Sequence, residues 1–217
     1  MDRIKEEELI KQVRVTIDEN QLETDYLKSD TNNLELDDII RSKLPDAIRI
    51  VLENAPAWMV EGKPMSVQPS WLSSKSDGTG FIKMPDDFLR ILKIKMEGWT
   101  VAVDEPVQDG TPVAIRQKCK HTRGNPIKPV CVLTINGTGN VVLEYYSVEP
   151  GRTAKVEYAI YVAKPTLVEQ SYDIPSLLRS SIVNYCAALS LLSRNEPQAA
   201  KHFFTIAQSY FKETPAG

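Results

Sequence analysis

Long apolar runs are missing from this sequence: no stretch approaches the ~20 consecutive apolar residues that a membrane-spanning helix needs. Cysteine is scarce as well. Cys119, Cys131 and Cys186 are an odd count at irregular separations, which fits neither a disulfide framework nor a paired CxxC zinc motif, so reduced thiols are expected. The N-terminus, Met1 to Glu8, lacks the apolar core of a secretory signal, so synthesis and folding in the cytoplasm are expected. The sequon Asn136-Gly137-Thr138 then carries no meaning. Asp77-Gly78-Thr79-Gly80 lacks the lysine-hydroxyl pair of a phosphate-binding loop and is expected to be a turn. No Ser or Cys sits in a nucleophile-elbow pattern to partner His202, which is expected on a helix surface.

What the chain does contain is ordinary globular material. Apolar residues at 42% and charged residues at 25% match a domain that folds on its own core without staples. A chain of 217 residues forms one large domain or two small ones and buries about 70% of its unfolded surface. The formal charge of −3 hides an asymmetry, because residues 1 to 46 hold thirteen acids against seven bases and the remainder is net positive. Ends of opposite charge invite head-to-tail contact between copies, while solvated helix faces explain the same pattern without any contact.

The stretch Ile127 to Pro165 suggests a three-stranded antiparallel meander. Ile127 to Ile135 and Val141 to Ser147 are dense in β-branched and aromatic residues, and the Asn136 to Asn140 break supplies positive-φ positions for a hairpin loop. From Ala154 to Val162 strict alternation sets Val156, Tyr158, Ile160 and Val162 on one face and Lys155, Glu157, Ala159 and Tyr161 on the other, with one face buried and the other wetter.

Around it, residues 3 to 19 predict a helix with acids in its first turns, although Val13 to Ile17 also alternates like a strand. A polar stretch, 28 to 33, separates it from the next element. Asp37 and Asp38 are read as N-terminal signals of a second helix with the stripe Ile40, Leu44, Ile48, Val51 or Leu52, and Ala55. Pro45 should kink that helix or split it at Leu44, and Pro56 should end it. Residues 57 to 80 predict a long loop packed by Trp58 and Trp71, with short strands around Met65 to Gln68. Phe81 to Leu89 and Arg90 to Met96 suggest two strands about a Pro-Asp-Asp turn, and Val101 to Val107 another short extended piece. Asp173 and Pro175 introduce an antiparallel helical hairpin, Pro175 to Arg194 and Pro197 to about Lys212, with the stripes Leu178, Ile182, Tyr185, Leu189, Leu192 and Ala199, Phe203, Ile206, Tyr210. Ala187, Ala188, Ala199, Ala200 and Ala207 should let the two helices approach closely. The fold class predicted is α+β: an antiparallel sheet with N-terminal helices and a C-terminal helical hairpin.

Candidate chemistry is thin. The acid pairs Asp37/Asp38 and Asp86/Asp87 stand where caps and turns want acids. Cys119, His121 and Cys131 lack an evident fourth ligand for zinc. The one polar feature with functional colour is residues 116 to 128, where Arg116, Lys118, Lys120, Arg123 and Lys128 occur without an acid and are expected as an exposed basic loop. Such a loop suits phosphates or an acidic protein partner equally, and it lacks interleaved aromatics for base stacking.

The segments Leu36-Asp37-Asp38-Ile39-Ile40, Asp46-Ala47-Ile48 to Ala55-Pro56, Met84-Pro85-Asp86-Asp87-Phe88-Leu89-Arg90, Trp99, Thr122-Arg123-Gly124, Lys128-Pro129-Val130 and Leu143-Glu144-Tyr145-Tyr146-Ser147, closed by the helical pair, resemble structural proteins of tailed phages. The chain is similar to neck or ring proteins of crAss-like and other Bacteroides-infecting podoviruses, and more loosely to head-to-tail adaptor subunits, over roughly residues 34 to 212. The resemblance implies one connector domain, 1–217, made of a helical N-terminal region (residues 1–56), a β-rich region (residues 57–165) and the helical hairpin (residues 173–213). It implies a non-enzymatic virion protein of the neck, assembled in host cytoplasm, without cofactor, metal or membrane. Its expected partners are copies of itself in a ring of about twelve, the portal and other neck or tail proteins, and transiently the packaged DNA. The alternative is a cytoplasmic nucleic-acid-binding or regulatory module using Arg116, Lys118, Lys120, Arg123 and Lys128.

Overall fold

The structure is a computed structural model that describes residues 2–21 and 32–211. In chain order it forms β1 (Asp2–Lys5), α1 (Glu6–Gln21), α2 (Asn32–Asn54), β2 (Lys63–Pro64), β3 (Leu72–Ser74), β4 (Gly80–Lys83), β5 (Phe88–Met96), β6 (Val107–Gln108) and α3 (Pro112–Gln117). There follow β7 (Cys131–Ile135), β8 (Val141–Tyr145), β9 (Val156–Ala163), β10 (Ser171–Ile174), α4 (Arg179–Ser193) and α5 (Pro197–Ser209). This is an α+β protein with a C-terminal helix pair. The chain divides into two compact units, Met1–Glu61 with Lys164–Gly217, and Gly62–Ala163. The second unit nearly coincides with the expected β-rich region, and the two expected helical regions combine in the first. The polar separator expected at 28–33 lies mainly outside the described residues, as does the helix end expected at Lys212.

In the helical unit, α1, α2 and α5 all pack on α4. Leu9, Ile10, Val13 and Ile17 are buried on α1, and Ile40, Leu44, Ile48 and Val51 on α2. These recur at three and four residues, the spacing of one face of a 3.6-residue helix, and that face removes the strand alternative for Val13 to Ile17. The first few residues depart from expectation: 2 to 5 form β1, which pairs antiparallel with β10 in the register Asp2↔Ile174 to Lys5↔Ser171. Asp173 therefore belongs to a strand rather than to a helix start.

Pro45 does not split α2, which runs through it from Asn32 to Asn54. Nor do Asp37 and Asp38 start that helix. Asp37 instead forms an ion pair with Arg14 of α1 at 2.7 Å, and Asp38 bonds Arg41 one turn on, at 3.0 Å. Pro45 removes the donor to the Arg41 carbonyl, but both residues are exposed, so water can replace the missing bond. The buried stripe on the opposite side holds the helix through it.

The C-terminal hairpin forms as expected but is more deeply buried. Ser181 Oγ near the start of α4 donates to the Ala207 carbonyl near the end of α5 at 3.0 Å, which fixes the antiparallel sense. Ala187, Ala188, Ala200 and Ala207 are fully buried and bring the backbones close. The expected stripe on α4 is corrected: Leu192 is exposed, whereas Val183, Cys186, Ala187 and Leu191 are buried beside Ile182. A helix with neighbours on three sides has no single stripe. Its buried polar groups turn inward, Asn184 onto the Ser180 carbonyl at 2.8 Å and Ser190 onto that of Cys186 at 2.9 Å. Asn195 ends it at φ +62°, with Glu196 N–H returning to the Leu191 carbonyl at 3.0 Å, a left-handed cap.

The β-rich unit holds a five-stranded sheet in the order β3-β4-β8-β7-β6 and a three-stranded sheet β2-β9-β5. The β7–β8 hairpin is as expected from its loop: Asn136 Oδ1 accepts from the N–H groups of Thr138 and Asn140 at 3.0 and 2.9 Å, and Gly139 takes φ +81°. The first strand is shorter than expected and starts at Cys131. The third strand of the expected meander does not join this sheet: β9 pairs with β5 and β2. Likewise β4 and β5 flank the Pro-Asp-Asp turn, closed by Phe88 N–H on the Pro85 carbonyl at 3.0 Å, yet enter different sheets.

The same register explains a failure of alternation. Three shifts interrupt β5 against β9, and each extra residue rotates the strand by one side chain. Phe88, Ile91, Ile94 and Met96 are therefore the buried residues of β5, and Ala159, Tyr161 and Val162 those of β9, with Tyr158 exposed. One core joins Phe88, Ile91, Ile94, Met96, Ala159 and Tyr161 to Ile82, Met84, Cys131, Leu143 and Tyr145. Trp58 and Trp71 do not anchor residues 57 to 80: Trp58 is 48% exposed and Trp71 half-buried. The anchoring tryptophan is Trp99, 3% exposed, which donates through Nε1 to the Ser147 carbonyl at 3.0 Å. The expected loop also contains β3, paired with β4 from Leu72↔Ile82.

Candidate functional site

The basic stretch is a built surface rather than a slack loop. Thr111 caps α3, its hydroxyl accepting from Ala114 N–H at 3.3 Å, and Pro112 occupies the first turn where its missing N–H costs nothing. Gln117 at the end of α3 is buried. Its Nε2 donates to the Val113 carbonyl at 3.0 Å and its Oε1 accepts from Gly124 N–H at 2.7 Å, pinning the returning chain to the helix. Gly124 fits because a Cβ there would lie 2.7 Å from Ser147 Oγ and 2.8 Å from the Lys128 carbonyl oxygen. Asn125 Oδ1 then accepts from Ile127 and Lys128 N–H, both at 3.0 Å.

Four of the five expected cations stand on this surface: Arg116 on α3, Lys118 at its C-cap, Lys120 and Lys128, all exposed. Arg123 does not. Its side chain is only 15% exposed and bonds Asp77 at 3.2 Å, so it belongs to the turn at 77–80 and is withdrawn from any patch. Asp77 is held at about 2, chiefly by hydrogen bonds from the Thr79 hydroxyl at 2.7 Å and from Thr79 N–H, then by Arg123. That turn, with Gly78 at φ +82°, is the one the sequence predicts.

The apolar component of the surface escapes a reading based on charge alone. Val113 and Ile115 on α3 are 41% and 58% exposed, and Ile127 in the returning chain 67%. No acid occurs anywhere between Gly110 and Leu143 in the sequence, while in space Ile127 shares a groove with Glu97, Glu149 and Arg152. The signal was available as apolar residues at positions the short helix turns outward.

Cys119 is exposed and Cys131 lies in the sheet core, so a Cys119/His121/Cys131 set is not assembled. Among the described residues no group of three or more His, Cys, Asp and Glu side chains is placed to hold a metal ion. Burial raises the Cys131 thiol far above its usual range, and pushes Cys186 up to about 12. Cys119 is lowered, first by a backbone hydrogen bond from His121 and then by the Thr122 hydroxyl.

Two polar clusters of the β-rich unit involve groups with shifted titration. Asp87 accepts from Lys63 and, at 3.0 Å, from the Tyr161 hydroxyl, and the Lys63 ammonium lies 5.2 Å from the Tyr161 ring centre. The bond to Asp87 raises Lys63 above its usual value, which keeps it a cation, the reverse of what a nucleophilic lysine requires. Of the Asp86/Asp87 pair, Asp87 thus ties β2 and β9 to the turn before β5. Tyr146 donates a short hydrogen bond to Glu144, and burial followed by that carboxylate raises its phenol. Both clusters lock protonation states that are already favoured at neutral pH.

Neither any protein-family model nor any curated protein matches the chain. No helix among the described residues is long and apolar enough to cross a membrane.

Proposed function

We propose that this protein is a structural subunit that works by contact between folded surfaces: a ring-forming component of the neck that joins portal to tail in a tailed phage. The observation that carries the reading is the pinned segment 111–128, which holds large apolar side chains and cations together in water. Large apolar side chains held exposed on a pinned segment suit an interface, whose core is apolar with a polar rim. The sequence of residues 1 to 46 is acidic and the remainder net positive, and unlike surfaces that meet repeatedly generate a ring when the rotation closes. The clusters at Asp87 and Tyr146 fit the same reading, since they tie strands together.

Sedimentation velocity and negative-stain microscopy of the purified full chain test it. Closed annular particles are the expected result, and a monomer at every concentration overturns it. The four exposed cations also favour a second reading, a module that binds nucleic acid. That reading expects duplex-DNA binding that weakens steeply with salt, with each lost phosphate contact reducing the logarithmic salt slope by about 0.9. Under the ring reading, replacing these four cations changes assembly and leaves DNA retention weak.

A further inference from the structure

We propose that Asn136 is a site of self-modification, at which the backbone nitrogen of Gly137 displaces the side-chain amide and the residue becomes aspartate or isoaspartate. The site lies in the β7–β8 loop and is independent of what the surface at 111–128 contacts. Three features of the loop favour the reaction. Asn136 Oδ1 accepts three hydrogen bonds, from Thr138 N–H at 3.0 Å, from the Thr138 hydroxyl at 2.7 Å and from Asn140 N–H at 2.9 Å. Among the described residues, neither Asn136 Nδ2, the group that leaves, nor Gly137 N–H, the group that attacks, has a hydrogen-bond partner. Gly137 is exposed, and a Cβ at that position would meet nothing within 4 Å, so its peptide unit can swing toward Asn136 Cγ without striking a neighbour.

The attack places negative charge on Oδ1. Hydrogen bonds to that oxygen speed the reaction only by the amount they strengthen as the charge develops, and a bond to an ionised acceptor is about twice as strong as one between neutral partners. The two N–H groups and the hydroxyl therefore serve as an oxyanion hole. A bond forms between Gly137 N and Asn136 Cγ, the Cγ–Nδ2 bond breaks, and ammonia departs with the proton that the glycine nitrogen gives up. Water then opens the cyclic imide. Cleavage at Cγ yields aspartate, and cleavage at the main-chain carbonyl yields isoaspartate. Aspartate keeps the three donors in charge-assisted bonds. Isoaspartate instead adds a methylene to the main chain, within a loop that sets the pairing of Ile135 with Val141. Asn125 is an internal control. Its Oδ1 accepts from two N–H groups, both at 3.0 Å, but Pro126 follows and has no N–H with which to attack.

Peptide mass mapping of the purified full chain, sampled during incubation at neutral and mildly alkaline pH, tests this, with a urea-unfolded sample alongside to show that the chemistry is visible. In the folded chain the peptide holding Asn136 should gain one dalton and separate into aspartate and isoaspartate forms. Conversion should be faster at the higher pH, because the attacking nitrogen must lose its proton. The peptide holding Asn125 should keep its mass. Thr138→Val removes the hydroxyl donor at an exposed position and should slow conversion by roughly fivefold, the effect of losing one hydrogen bond of modest strength. Thr138→Ser, which keeps the hydroxyl, should restore the rate. Gly137→Ala should slow it by about tenfold or more, because a Cβ crowds the attacking nitrogen. Asn136 left intact in the folded chain overturns the proposal. So does a Thr138→Val rate that is unchanged or raised, since the hydroxyl would then be holding the amide still instead of stabilising the charge.

Discussion

The two units reach a dry interior by different means. In the helical unit, burial is a matter of which side chains recur at three and four residues, and backbone hydrogen bonds are satisfied locally whatever the neighbours do. In the β-rich unit, partners come from distant positions, and the close fit depends as much on missing side chains as on present ones. Gly80 is the sharpest case: a Cβ there would lie 2.0 Å from the Ser73 carbonyl oxygen and 2.2 Å from the Tyr145 hydroxyl, the same hydroxyl that donates to Ser73 at 2.8 Å. The helical unit should thus tolerate changes that preserve volume, and the β-rich unit should fail where backbone meets backbone.

The largest effect should follow from Gly80→Ala, which pushes β3, β4 and Tyr145 apart and is expected to cost about 3 kcal/mol or more. Urea unfolding measures it as a lower midpoint at constant slope, and a loss below about 1 kcal/mol would mean that these strands yield more easily than their spacing implies. The helical counterpart, Ala187→Leu, should cost about 2 kcal/mol by overpacking α4. A smaller change, in the opposite direction, is expected from Pro45→Ala: restoring the donor to the Arg41 carbonyl should stabilise the protein by about 1 kcal/mol, the gain being limited by the freer unfolded chain. Destabilisation there would show that Pro45 shapes α2 rather than being carried by it.

The smallest effect is a pH dependence in the β-rich unit. Asp77 has a depressed folded-state value, about 2, so its contribution is fully present above the ordinary carboxylate range near 4 and disappears as pH falls toward 2. The stability difference between the native chain and Asp77→Asn should be flat above about pH 5 and vanish on acidification through that window. A difference that instead grows with acid would reverse the assignment. Because Asp77 is half exposed, solvent screening keeps the effect small.

The contrast between the units also sets what the sequence revealed. The α+β class, both hairpin helices, the Asn136 loop and the Asp77 turn were legible because each depends on residues close together in the chain. Strand partners were not: β9 looks like a continuation of the β7–β8 hairpin, but its pairing with β5 is decided by shape across the whole unit. Bulges in β5 erased the period-2 signal that locates a buried face. Pro45 misled for a related reason, since its cost was judged locally while packing on α4 overrode it. At the candidate surface the cations were legible and their company was not. Arg123 is lost to Asp77, 46 residues away, and Ile115 and Ile127 become informative only once they are seen to stand in water.

The pairing of Lys63 with Tyr161 and of Pro64 with Ile160 places the first and last strands of Gly62–Ala163 side by side. A segment that leaves and re-enters its host at neighbouring points can lengthen, shrink or be exchanged without the host helices having to re-thread. The chain is therefore organised as a cassette inserted into a helical host, and short peptide bridges between residues 61 and 164 are the natural place to begin taking it apart.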